Sequence, residues 1–147
     1  MIKSLHIKNF VIIEEYSLDF SNGLNIITGE TGSGKSLVFK ALNIILGDRA
    51  SSELVRKGEK KSIIEARFSV VNVNDILINL VDPDFFDITD EIIIRREFTS
   101  SGQSRSFLND SQVSVSELKK IKSQLLDYHG QHSTSRILDE KYQLQVL

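Results

Sequence analysis

Eight residues, Gly29-Glu30-Thr31-Gly32-Ser33-Gly34-Lys35-Ser36, match the pattern G-x-x-x-x-G-K-[ST] at every fixed position and constrain this chain more than anything else in it. The pattern carries chemistry only between a strand and a helix. Upstream, Leu24-Asn25-Ile26-Ile27-Thr28 reads as a short buried strand, and downstream Leu37, Val38, Ala41, Leu42, Ile45 and Leu46 are apolar at helical spacing. Between such flanks, glycines let successive backbone amides converge on a phosphate, and the helix N-terminus adds partial positive charge. Lys35 then neutralises β- and γ-phosphate charge, while the Ser36 hydroxyl is placed to ligate Mg²⁺. At an average glycine usage of about 7%, the bare pattern arises by chance in roughly one chain in two hundred of this length. A nucleoside triphosphate with Mg²⁺ is therefore the expected ligand.

With 147 residues, 40% of them hydrophobic, the chain can bury one sizeable core. Its net charge of -2, from 18 basic and 20 acidic residues, gives no global field that would draw in nucleic acid or membrane, so any such contact is local. The absence of cysteine excludes disulfides and thiolate metal sites. Residues 1–8 alternate apolar with polar, unlike a signal peptide, and no run approaches the roughly 18 apolar residues of a membrane helix. A soluble, cytoplasmic protein is expected.

Along the chain, the alternation in 2–7 and 16–20 predicts two strands, with Ser21-Asn22-Gly23 as a turn before the phosphate-loop strand. Gly47 reads as the C-cap of the following helix, and a polar loop with a small basic cluster runs to Lys61. Residues 62–70 read as a strand, 75–81 as a short helix, and Asp82-Pro83-Asp84 as its stop. The stretches 91–98 and 104–109 form a predicted hairpin, followed by a second turn at Asn109-Asp110-Ser111. Residues 115–122 are amphipathic and helical in spacing, and Gln124-Leu125-Leu126-Asp127-Tyr128 reads as a buried strand leading into His129-Gly130-Gln131-His132.

In order, these pieces are a strand pair, a phosphate loop, Gly47-Asp48-Arg49-Ala50 just after its helix, an Arg-rich hairpin ending in Phe107-Leu108-Asn109, and Leu126-Asp127-Tyr128-His129-Gly130-Gln131-His132. Together they resemble the N-terminal ATPase lobe of SMC-like proteins. The resemblance implies an α/β P-loop NTPase fold of the ABC/SMC head type, with an antiparallel β-subdomain. It assigns residues 1–134 to the lobe and 135–147 to the start of a coiled-coil helix. It implies ATP as the nucleotide, Gln131 as the glutamine that touches Mg²⁺ and the attacking water, and Arg56 as a residue near nucleotide or DNA. The implied role is DNA double-strand-break repair and recombination, with a C-terminal lobe and a second head as partners, the latter joined by ATP, and DNA as a further partner. A neutral amide suits the role given to Gln131, since its carbonyl oxygen coordinates a hard cation without adding charge.

An ABC-type head also needs an apolar strand ending in Asp-Glu and a signature helix, and neither pattern occurs in these 147 residues. Hydrolysis is thus expected to need a general base from elsewhere, leaving this part alone inactive as an ATPase. A Ras-like GTPase is a rival reading, because Asp127, Gly130 and Gln131 also fit D-x-x-G followed by Gln. The long separation from Lys35 and the lack of an Asn-Lys-x-Asp motif argue against it. A second rival is a non-hydrolysing, nucleotide-ordered module that tethers DNA through Arg56, Lys57, Lys60, Lys61, Arg95, Arg96 and Arg105, although Glu59 and Glu97 interrupt that patch. His129 and His132 lack a third metal ligand and read as loop residues. Lys8 and Asn9 end the first strand, where related heads approach the adenine or ribose. Tyr16, Phe20, Phe39, Phe68 and Phe107 are expected in the core.

Overall fold

Period-2 alternation along successive segments builds one sheet, and two short amphipathic helices cover one of its faces. The computed structural model describes residues 1–29, 34–69 and 91–125. Its strands are β1 (Ile2–Phe10), β2 (Ile13–Asp19), β3 (Lys61–Ser69), β4 (Glu91–Thr99), β5 (Ser104–Leu108) and β6 (Ser111–Val113). They lie in the order β2-β1-β3-β4-β5-β6, and every neighbouring pair is antiparallel. Among the described residues the helices are α1 (Lys35–Ile45) and α2 (Val115–Leu125), with a 3₁₀ turn at Ser52–Leu54.

Alternation decides which face is covered. In β3, Ser62, Ile64, Ala66 and Phe68 are buried, and in β4 so are Ile92, Ile94, Arg96 and Phe98, while the residues between them are less covered. Leu5 and Ile7 of β1 and Leu108 of β5 join this inner face. Val38, Ala41, Ile44 and Ile45 of α1 close over it, with Leu118, Ile121 and Leu125 of α2, in one core. Phe10 and Phe98 meet edge to face, with ring centres 6.2 Å apart. Each fully buried aliphatic or aromatic side chain contributes about 1.5–3 kcal/mol relative to exposure, so this face supplies most of the drive to fold. The opposite face carries cross-strand ion pairs such as Lys61–Glu97 at 3.3 Å.

Local chemistry fixes the ends of both helices. α1 stops at Leu46, and Gly47 follows with φ 99°, a left-handed conformation that strains any residue with a Cβ. The Gly47 amide donates to the Ile44 carbonyl and the Asp48 amide to the Asn43 carbonyl, the paired bonds of a Schellman ending. The expected C-cap is therefore present. α2 begins with a capping box, in which the Ser114 hydroxyl accepts from the Glu117 amide (3.2 Å) and the Glu117 carboxylate accepts from the Ser114 amide (2.5 Å). Between β5 and β6, Asn109 and Asp110 take φ 44° and 66°, the two-residue turn that right-twisted strands favour.

Several expectations need correction. Gln124 and Leu125 close α2 and do not begin a strand, because Leu118, Ile121 and Leu125 recur at helical spacing on the buried side. Leu24-Asn25-Ile26-Ile27-Thr28 is irregular and joins no ladder, with Leu24 87% and Ile26 74% exposed, since no described strand lies alongside to complete its hydrogen bonds. The strands described are those of the antiparallel part of the expected architecture, and no parallel pair occurs among the described residues. Tyr16 and Phe39 are exposed, because β2 is an edge strand and Phe39 sits on the outer side of α1; Phe68 is buried as expected, and Phe20 is half-buried. The predicted helix at 75–81, its stop at Pro83, residues 126–134 and the coiled-coil start at 135–147 lie outside the described residues.

Candidate functional site

The site is built on the N-terminus of α1. Gly34 precedes the helix with φ 93° and ψ -3°, again a left-handed conformation, and its carbonyl accepts from the amides of Leu37 (2.9 Å) and Val38 (3.1 Å). Among the described residues no side chain caps this end and no acidic residue stands in the first turn, so the helix end presents its partial positive charge there. The Lys35 ammonium folds back and donates to the Gly29 carbonyl, which brings the two ends of the phosphate-loop pattern together. Ser36 is exposed beside it in the same turn. Among the described residues, a donor-rich helix end that carries Lys35 and Ser36 in its first turn fits a polyphosphate with a hard divalent cation. Glu30, Thr31, Gly32 and Ser33, also expected to contact nucleotide, lie outside the described residues, as do Gln131 and the rival switch residues Asp127 and Gly130.

Arg56 is held by the β1–β2 turn. Its guanidinium donates to the Ile12 carbonyl at 2.6 Å and lies 3.7 Å from the Glu14 carboxylate. Two backbone bonds fasten the loop to the same turn, from the Val11 amide to the Leu54 carbonyl and from the Arg56 amide to the Asn9 carbonyl, each 2.9 Å. The turn is itself unusual, since Asn9 and the β-branched Val11 both have φ 53°. The Asn9 side chain donates to Glu59 and to the Lys61 carbonyl.

The suggested basic patch loses Arg96 to the core, and its Lys61 and Arg95 are paired with acids. Arg96 is 1% exposed, pointing inward in the same register as Ile94 and Phe98. Arg95 lies on the outer face, but its guanidinium sits 4.7 Å from the centre of the Phe107 ring, 2.9 Å from Asp110 and 3.5 Å from Glu97. Lys61 is paired with Glu97 as well. Phe107, expected in the core, is thus the half-buried platform under Arg95.

Arg96 is the site-related residue that the sequence reading misplaced. Its Nη1 donates to the Ile44 carbonyl at 2.7 Å and to the Asp48 carbonyl at 3.3 Å, and its Nη2 donates to Ser104 Oγ at 3.3 Å. Burial pulls the guanidinium below its ordinary value, an effect that the Asp48 carboxylate opposes. The clue was available: Ile92, Ile94, Arg96 and Phe98 form one alternating series, which puts Arg96 on the inner face.

A glycine-entered helix end with Lys35 and Ser36, set against an antiparallel sheet, fits the P-loop NTPase fold of SMC ATPase heads. The chain belongs to the AAA domain family, whose profile matches residues 4–146. Over its whole length it is 39% identical to the DNA repair protein RecN of Bacillus subtilis and 38% identical to that of Vibrio cholerae, spanning 26% of each. The chain therefore covers about a quarter of the length of these curated relatives. Among solved structures, an SMC ATPase studied for ATP-driven dimerization and DNA-stimulated activation matches with a TM-score of 0.64 at 28% identity, over 83% of this chain and 77% of that one. The Smc head domain of Pyrococcus furiosus, bound to the C-terminal domain of ScpA, matches with a TM-score of 0.66 at 27% identity, over 83% of this chain and 32% of that one. The fold is accordingly a nucleotide-binding one. Among the described residues, no helix is long and apolar enough to cross a membrane.

Proposed function

We propose that the chain is the ATP-binding part of an SMC-like ATPase head that acts in DNA double-strand-break repair and recombination. The observation that carries this reading is the glycine-entered N-terminus of α1, with no acid in its first turn among the described residues and Lys35 drawn back onto the Gly29 carbonyl. The likeness to RecN over the full length of the chain supports the biological role. In this reading the amides of the loop from Gly29 to Gly34, with Glu30, Thr31, Gly32 and Ser33 between them, receive the phosphates, and Lys35 exchanges its contact with Gly29 for phosphate oxygens. Ser36 and Gln131 would hold Mg²⁺, and Gln131 would orient the attacking water. When bound, Mg²⁺ supplies charge neutralisation for the transferring phosphoryl group. Arg56, on a loop fixed by the β1–β2 turn, would approach the nucleotide.

Hydrolysis needs a general base from outside these residues, contributed by a C-terminal lobe of the same head. ATP-dependent pairing with a second head, DNA as partner and a cytoplasmic location complete the proposal. ATP-driven dimerization is described for the SMC ATPase that this chain resembles. The direct test is equilibrium binding of a fluorescent ATP analogue with Mg²⁺, competed by ATP and GTP. Binding that Lys35→Ala weakens at least tenfold and that ATP displaces better than GTP is the expected result. Preference for GTP would transfer the reading to the GTPase alternative, and binding indifferent to Lys35→Ala would remove the phosphate site altogether.

A further inference from the structure

Arg96 is buried, charged and set at the end of α1 away from Lys35 and Ser36. α1 has 11 residues, so at about 1.5 Å per residue its two ends lie roughly 16 Å apart. Arg96 grips one end, through Ile44 and Asp48, while Lys35 and Ser36 begin the other. A guanidinium removed from water must recover its hydration in specific bonds, and this one finds three acceptors on three separate pieces of chain: the last turn of α1, the loop after it, and β5. Ser106 stands opposite Arg96 in the β4–β5 pairing, and this small residue leaves room for the larger side chain.

The geometry of these bonds is selective. The apolar contacts of Val38, Ala41, Ile44 and Ile45 hold α1 against the sheet but are non-directional, so they tolerate sliding and rotation of the helix. A planar guanidinium fork is directional and fixes both distance and angle. It also places positive charge at the negative end of the helix dipole, whose positive end faces the phosphate loop. We propose that Arg96 is a positioning residue for nucleotide binding: anchored in β4, it sets the axial position of α1 and thereby the aim of Lys35 and Ser36 at the far end. The proposal rests on the nucleotide-binding reading of α1. Small displacements at such sites are costly, since an error of about 1 Å in the placement of a reacting group can lower rates a hundredfold.

The test is the Kd for Mg²⁺ and the fluorescent ATP analogue in the full-length protein, measured at a temperature where circular dichroism shows each variant folded. Arg96→Met keeps the volume and removes the fork, and its Kd should rise tenfold or more. Arg96→Lys keeps the charge but not the fork, and should raise Kd about threefold, an intermediate value that marks partial rescue. Ile94→Val, a neighbouring core change, should lower the melting temperature and leave Kd unchanged, which separates positioning from mere stability. A folded Arg96→Met that binds within twofold of the unsubstituted protein overturns the proposal. Should Arg96→Met fail to fold, Arg96→Lys decides by the same comparison, with an unchanged Kd overturning it. If the unsubstituted protein shows no binding that depends on Lys35, the nucleotide reading fails and this one with it. Failure confined to the Arg96 variants leaves the nucleotide reading standing.

Discussion

The Arg56 guanidinium donates to the carbonyl of Ile12 at 2.6 Å, so the side chain most open to a nucleotide role in its loop is also a fastener between that loop and the β1–β2 turn. The same turn holds Val11 in a left-handed conformation, and such strain persists only where the surroundings hold it. Removing the fastener should therefore cost about 1 kcal/mol, the usual net value of one hydrogen bond. Arg56→Ala is expected to lower the urea midpoint accordingly. Glu14→Gln should do almost nothing, because the Glu14 side chain is 82% exposed and such surface pairs are weak. Equal effects of the two substitutions would show that the ion pair, and not the carbonyl bond, holds the loop.

The capping box of α2 predicts an acid-sensitive helix start. The Ser114 hydroxyl and amide bond to Glu117 and hold its carboxyl below the ordinary glutamate value. A group whose folded value is depressed contributes stability above its unfolded value, near 4.3, and loses it as pH falls through the lower folded one. The melting temperature should then drop on acidification below about pH 4.3, and Glu117→Gln, which keeps a box of neutral bonds, should flatten that part of the profile. Ser114→Ala should cost about 1 kcal/mol at neutral pH. Parallel acid profiles for the unsubstituted protein and Glu117→Gln would show that the carboxylate contributes nothing.

How much of this was legible in the sequence follows the range of the physics involved. Gly47, the Asn109-Asp110 turn and the β4–β5 hairpin depend on neighbours in sequence, and the residues alone located each of them. The phosphate-loop residues were read from a motif whose ends, Gly29 and Lys35, do meet. What failed depended on partners distant in the chain. Leu24 and Ile26 have the composition of a strand, but a strand exists only beside another, and no pattern within 24–28 says whether one is there. Arg96 reads as a surface cation until the register of β4 is followed, because charge biases the reading more than alternation does.

At Gly47 the chain leaving α1 lies against α2, beside Val115 and Lys119. A Cβ built there would lie 2.7 Å from Lys119 Cγ, on top of the strain of φ 99°. Gly47→Ala is expected to cost about 1–2 kcal/mol from the left-handed backbone alone, plus a steric share. The two parts separate in a double-mutant cycle, since Lys119→Ala removes the Cγ and leaves the backbone untouched. Recovery of part of the loss in the double variant is the expected outcome. No recovery would assign the entire cost to the backbone, whereas complete recovery would mean that the left-handed conformation is tolerated without glycine.

The exposed pair Leu24 and Ile26 gives the clearest length-dependent prediction. In this chain the segment from Leu24 to Thr28 has no strand beside it among the described residues, and Leu24→Asp should change the unfolding free energy measured in urea by no more than about 0.5 kcal/mol. The curated relatives are about four times as long, with the aligned stretch covering 26% of each. If the remaining sequence supplies a strand that covers this segment, as the proposed C-terminal lobe requires, Leu24 becomes a core residue there. The same substitution in the full-length protein should then cost about 2–5 kcal/mol, the range for losing a buried leucine. Measuring both lengths side by side settles the point: a small effect in both would mean that Leu24 stays in solvent and that the segment before the phosphate loop is not covered by a strand.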